Sequence, residues 1–359
     1  MPPCTYLSPL ADYEREASAL HVDVRAGDGD AAMRFKWMHP KYRGEPLRAV
    51  DSTTLTLDDA RLVVARDYAF ADWDHLAAYR AAMDDDVGAR RFEDAVEAAV
   101  HGDAARLAAL LAEDAALVHQ RSTRVHRATL LHYLAANGVE GERQRTPANA
   151  VAIMRTLLEA GAEVDALADM YDHRCTTMSM LVSSSPPNDA GMQVVLAELL
   201  LDFGAAFTGP DTEWQSAVMT ALVFGFRDTA RALVRRGAPV DTLPAAAGLG
   251  LVDQVRRLLP GASAVDRHRA LALASQLDAV PVVELLLDAG EDPDRLNPEG
   301  FHSHATPLHH AALEGHVDIV RLLLARGART DIRDTIYDAT PLGWAEHGEQ
   351  EAVVALLEP

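Results

Sequence analysis

From residue 91 onward, short apolar stripes alternate with single glycines. Two or three Leu or Val, a polar step, then Gly-Ala or a close relative and often Asp make one phrase. It recurs as TLLEAGAEVD (156–165), ELLLDFGAAF (198–207), ALVRRGAPVD (232–241), RLLPGASAVD (257–266), ELLLDAGEDPD (284–294) and RLLLARGARTD (321–331). The apolar residues predict the buried stripe of a helix. The glycine predicts its end, because a left-handed residue is cheapest without a Cβ. The Asp that follows suits a turn. The six glycines, Gly161, Gly204, Gly237, Gly261, Gly290 and Gly327, are spaced by 43, 33, 24, 29 and 37 residues. A second helix precedes each of these and is sharpest in TPLHHAALEGHVDIVRLLL (306–324). There Thr306 is placed to cap through its side-chain oxygen and Pro307 falls at the first helical position. Leu308, Ala311 and Ala312 give a narrow apolar face, and Gly315 ends the helix.

Residues 306–328 resemble the ankyrin phrase TPLHxAA…GHxxxVxxLLxxGA almost without departure. The segment 339–359 looks like a truncated last unit. Earlier units are more degenerate: ATLLHYLAANG (128–138) has Leu130 where the family has proline, and 176–184 and 216–225 lose the His. Stretches 243–259 and 269–287 keep only a small-residue helix pair, and 91–118 reads as an opening unit. About eight units fit between Arg91 and the end. The resemblance implies an all-α solenoid of helix-turn-helix units over 91–359, and a non-catalytic binding scaffold as its function.

Residues 1–90 do not repeat. Within them, LTLDDARLVVARDYAFADWDHLAAYRAAM (55–83) predicts two helices, capped by Thr56 or Asp58 and by Asp72. It resembles LxxAQLVxARxYGFxSWxxL, a segment common at the front of bacterial ankyrin proteins, with Ala69 in place of Gly and Asp72 in place of Ser. That implies a helical cap on the array and a bacterial source.

Insertions set this array apart from a plain one. They lie at 138–150, 166–175, 183–191, 206–215 and 291–305, and their Pro, Gly, Asn and Ser content predicts loops. Tyr171, Trp214 and Phe301 are lone aromatics on them, either folded onto the core or exposed as anchors of a contact. The expected partner-binding set adds His173, Arg174, His302 and His304 from the loops. From the inner helices it adds Tyr133, Asn137, Phe224, His310 and Glu314, facing a concave groove.

Composition narrows the partner. Net charge is −21, and Lys36 and Lys41 are the only lysines. This disfavours nucleic acid and anionic membrane, and favours a protein partner with a basic surface. The basic stretch 34–44 reads as a helix end packed on the cap. Two distant cysteines form no framework, and the first twenty residues lack a secretory pattern, so a cytoplasmic location is expected. No nucleotide, hydrolase or zinc-protease motif occurs, and no catalytic residue or cofactor is assigned. His302, His304, His309, His310 and His316 fall close together, but His309 and His316, like His132, match turn-bracing positions that the resemblance implies, so no metal is assigned. One alternative stays open: an enzyme or a small-molecule or metal binder whose pocket is closed by insertions at 166–215 and 291–305.

Overall fold

The structure is a computed structural model that describes residues 4–136, 139–170, 173–210, 216–299 and 301–358. It is mostly helical and divides into two compact units, residues 1–212 and 213–359.

The first unit opens with α1 (Leu10–Arg25), α2 (Gly29–Met38), α3 (Leu57–Asp67) and α4 (Trp73–Asp85). Asp28, Thr56 and Asp72 each accept a backbone N–H at a helix start, and Thr56 forms a capping box with Asp59. Tyr13, Phe35, Val63, Val64, Tyr68, Leu76 and Met83 make their shared core. The basic stretch ends α2 with Phe35, Lys36, His39 and Tyr42 buried. Between α3 and α4, Ala69 has φ +61°, which explains the glycine expected there.

Helix pairs follow: α5 (Val87–Val100) with α6 (Ala104–Glu113), then α7 (Leu130–Ala135) with α8 (Ala150–Glu159). A hairpin of β1 (Leu167–Met170) and β2 (His173–Thr176) pairs antiparallel with Ala168 opposite Cys175. It leads into α9 (Thr177–Leu181), the one-turn α10 (Ser185–Asp189) and α11 (Gln193–Asp202). Two expected loops therefore carry regular structure: 166–175 holds the hairpin, and Pro186 and Pro187 in 183–191 sit in the first turn of α10, where their missing donors are tolerated.

The second unit holds five pairs: α12 (Ala217–Val223) and α13 (Arg227–Arg235), α14 (Leu243–Gly248) and α15 (Val252–Leu258), α16 (Ala264–Gln276) and α17 (Val280–Asp288), α18 (Pro307–Leu313) and α19 (Val317–Ala325), α20 (Pro341–His347) and α21 (Glu351–Leu357). Alanines of the first helices and branched residues of the second form one core, with Ala246, Ala274, Ala311 and Ala345 against Val283, Leu286, Ile319 and Leu323.

One bond repeats at six of the turns from an inner helix to its outer partner. The N–H three places past the helix returns to the carbonyl of a buried alanine: Asp103 to Ala98, Phe226 to Ala221, Leu251 to Ala246, Ala279 to Ala274, His316 to Ala311 and Gln350 to Ala345, all within 2.8–2.9 Å. The residue between is left-handed: Gly102, Gly225, Gly250, Asp278, Gly315 and Glu349. Outer helices close the same way on Leu157, Leu200, Leu233, Leu286 and Leu323. Gly261 departs from expectation, since its φ is not positive: Leu259–Gly261 is a 3-10 turn around Pro260 that needs no left-handed residue.

Candidate interaction surface

Inner helices begin at hydroxyl caps. Ser216, Thr242, Ser263 and Thr340 accept from the third backbone N–H beyond them. Thr306 is the N-cap of α18 as expected, in a capping box with His309. Its N–H and hydroxyl both reach His309 Nδ1, at 3.2 and 2.8 Å, so the imidazole is the acceptor. His309 Nε2–H is then free to donate to Ala339 O at 3.3 Å, in the next unit. His132 repeats this with Thr129 and Cys175 O. His316 reaches back to Gln276 O at 2.9 Å. These imidazoles brace successive units, and burial depresses His132 to about 4 and lowers His309.

Connections ahead of the inner helices fold into fingers. In the second unit, Asn297 N–H bonds Ala305 O and Asp334 N–H bonds Ala339 O, and Thr335 N–H joins one finger to the other through His304 O. The buried Asp334 carboxylate accepts from the N–H groups of Ile336, Tyr337 and Ala339 and from Trp344 Nε1 at 3.0 Å. Burial raises its pKa, but these donors outweigh it and the net shift is downward.

The finger at 291–305 turns inward. Phe301, expected as a possible exposed anchor, is 1 % exposed and fills the interior. His302 and His304 are half-buried; His302 Nε2 donates to Val223 O at 3.3 Å, at the end of α12. His310 is 5 % exposed, so it is a correction to the open-face set: its ring lies 5.0 Å from His302 and 5.5 Å from Trp344. Phe224 is 43 % exposed at the end of α12, and Glu314 is exposed at the end of α18. The structure adds two residues that the sequence reading missed. Tyr337, 46 % exposed, and Trp344 flank His304 at 6.1 and 5.7 Å. Trp344 follows Thr340 at the interval by which His310 follows Thr306, which is the signal that could have found it.

In the first unit, His173 and Arg174 are exposed on β2, opposite Met170 and Asp169. Tyr133 is a further correction. It is buried, and its hydroxyl donates to Glu140. Around that pair lies a network absent from the sequence reading. Arg124 contacts Glu140 at 2.9 Å and the Tyr68 carbonyl at 2.9 Å, and Arg143 binds Glu93. His126 Nε2 lies 3.2 Å from Glu140, and Arg124 stacks on Phe70 and Tyr79 at 5.0 and 5.1 Å. Burial pushes the Glu140 carboxyl up, but Arg124 and Arg143 win and hold it well below the usual range. The supposed loop 138–150 thus supplies two buried charges, Glu140 and Arg143, that face the N-terminal helices. Asn137, Tyr171 and Trp214 lie outside the described residues.

Among the described residues, no three His, Cys, Asp or Glu side chains converge as a metal site, and no helix is long and apolar enough to cross a membrane. Cys175 is buried, and burial pushes the Cys4 thiol up to about 11.

The profile described as ankyrin repeats (3 copies) matches residues 271–359. Human cyclin-dependent kinase 4 inhibitor B is 31 % identical over 135 residues, 36 % of this chain and 95 % of that protein. Cyclin-dependent kinase inhibitor 2A is 32 % identical in Monodelphis domestica, over 33 % of this chain and 68 % of that one. The human form is 34 % identical, over 30 % and 68 % respectively. The solved human ASB11 ankyrin repeat domain aligns at 21 % identity over 65 % of this chain and 99 % of its own, with a TM-score of 0.32. The chain belongs to the ankyrin-repeat family.

Proposed function

We propose that this chain is a non-catalytic protein-interaction scaffold whose second unit offers the contact surface. The observation that carries the reading is the partly exposed group Tyr337, His304 and Trp344, where Asp334 fixes the finger of Tyr337 and the indole of Trp344 through four hydrogen bonds and Thr335 N–H ties in the finger of His304. Rigid aromatics on a pre-organised support are the side chains that dominate binding energy. Phe224 and Glu314 extend the surface along the inner-helix ends. His173 and Arg174 on the hairpin form a separate candidate contact in the first unit.

The partner is a protein with a basic surface. The support is the acidic balance of the chain and the exposed carboxylates Asp278, Glu314, Glu346 and Glu349 at the inner-helix ends. The names of the relatives make a protein kinase the class to try first. The pattern at 55–83, which resembles the front of bacterial ankyrin proteins, supports a protein of that group. Phe301 packing into the interior supports a filled finger at 291–305 over a ligand pocket there.

Affinity capture from the native cell, repeated with Tyr337→Ala, Trp344→Ala and Phe224→Ala, tests the surface. Each is expected to weaken capture by about 1–3 kcal/mol, roughly 5- to 160-fold. Undiminished capture by all three would overturn the assignment. Capture should also weaken as salt rises, because the attraction is screened.

A further inference from the structure

The finger at 291–305 is unlike its neighbour. The finger around Asp334 is fixed by a carboxylate with four donors. Residues 301–305 have no such carboxylate: besides the buried Phe301 and backbone bonds to Asn297 and Thr335, they pack imidazole on imidazole. His302 reaches from the finger to Val223 O, the same carbonyl that Gln276 Nε2 of α16 binds at 3.1 Å. Its ring sits 5.0 Å from His310 and 6.1 Å from His304. His310 Nε2 is buried with no hydrogen-bond partner. His302 itself is left-handed, at φ +51°, a strained state for a residue with a Cβ. His310, buried with no acceptor for a second proton and beside two other imidazoles, is accommodated only as a neutral ring.

We propose that residues 301–305 form an acid-released plug on the inner-helix face of the second unit, closed near neutral pH and opened when the imidazoles within and beneath it take up protons. The groups that face the cluster can be named element by element. α12 offers the Val223 carbonyl and α16 the Gln276 amide. α18 offers His309 and His310, and α20 offers Trp344. The next finger offers Tyr337 and the Asp334 carboxylate. Asp334 favours a proton on His304 and His309. His310 gains nothing from it: burial first, then His302, His304 and His309, hold its pKa well down. A proton on two of these rings places like charges about one ring apart in a poorly hydrated site. Swinging 301–305 outward hydrates both and relieves the backbone at His302. Because the closed-state values lie below the ordinary imidazole value of about 6.5, closure is complete above that pH and lost as pH falls below it.

This regulation rests on the inner-helix face being a partner surface, but its physical test does not. Backbone hydrogen exchange of the full chain, corrected for intrinsic rates, is compared at pH 7.5 and 5.5. Amides of 301–305 are expected to open at least about tenfold more at the lower pH, since one proton bound preferentially to the open form gives a factor of ten per pH unit. Amides of α20 and α21 should keep their protection. Equal protection at both pH values, or loss in 301–305 and the helices together, would overturn the plug. His302→Gln keeps a donor for Val223 O without titrating, and His310→Phe fills its site without a polar atom. Each should remove most of the pH response, and a full response in either overturns the role of that ring. Should His310→Phe not fold, ring titration by NMR in the unaltered protein decides: His302 and His310 titrating near 6.5 sinks the idea. Plug release with no change in partner affinity would refute the partner surface while leaving the plug intact.

Discussion

At the scale of single residues, left-handed positions decide what the sequence disclosed. Where glycine marks them, as at Gly225, Gly315 and Gly327, the helix ends were legible. Asp278, Glu349 and Ala136 take the same conformation at inner-helix ends without glycine, so those ends carried no glycine signal. These sites make a prediction: Ala69→Gly and Glu349→Gly should each stabilise by about 1 kcal/mol in urea unfolding, by removing Cβ strain. The expected open-face set failed at Tyr133 and His310 for one shared reason: a motif position says which way a helix residue faces, not whether a neighbouring loop covers it. The same blindness hid the Glu140 network, because GVEGERQRTPANA reads as a polar loop whether its charges meet water or one another. Glu140→Ala leaves Arg124 and Arg143 buried beside too little negative charge. It should destabilise the first unit by about 3–5 kcal/mol, measured as a lower urea midpoint at unchanged slope. A loss under 1 kcal/mol would show that water reaches the arginines.

Among elements, the fingers carry what individuality the second unit has. Helices α18 to α21 were readable because hydroxyl cap, proline, alanine pair and leucine stripe all agree there. Fingers have no such redundancy: one carboxylate, Asp334, organises a whole turn and orients Trp344. Asp334→Ala should destabilise by about 3 kcal/mol, since three backbone N–H groups and the indole lose their acceptor together. The substitution should also shift Trp344 fluorescence, which separates a finger defect from a general one. Asp334→Asn, able to accept at only one oxygen, should fall between.

For the molecule as a whole, acid sensitivity and the N-terminal helices are the tests. His132 and His309 are braces that work as neutral rings, with Nδ1 accepting. Their depressed pKa values mean that the unfolded chain binds protons first. Stability is therefore full above about pH 6.5 and declines as pH falls below it, for His132 down to about 4, by up to about 1.4 kcal/mol per pH unit per ring. A flat thermal midpoint between pH 7 and 5 would contradict this. A chain starting at Arg91 loses Tyr68 O, Phe70 and Tyr79 from around Arg124 and Tyr6 from above Arg143. It is expected to aggregate on size exclusion, whereas a cap of independent stability would leave it monodisperse. The conserving alanine bonds reveal a last consequence. From Ala221 they recur at intervals of 25, 28, 37 and 34 residues, so the two units after α12 are clipped and their connections are too short for a finger. His302 meets Val223 O at the end of α12, the inner helix just ahead of the first of these short connections. Grafting residues 333–339 into the link between α13 and α14 would therefore act as a steric competitor, turning a proton-operated closure into one held open by covalent design.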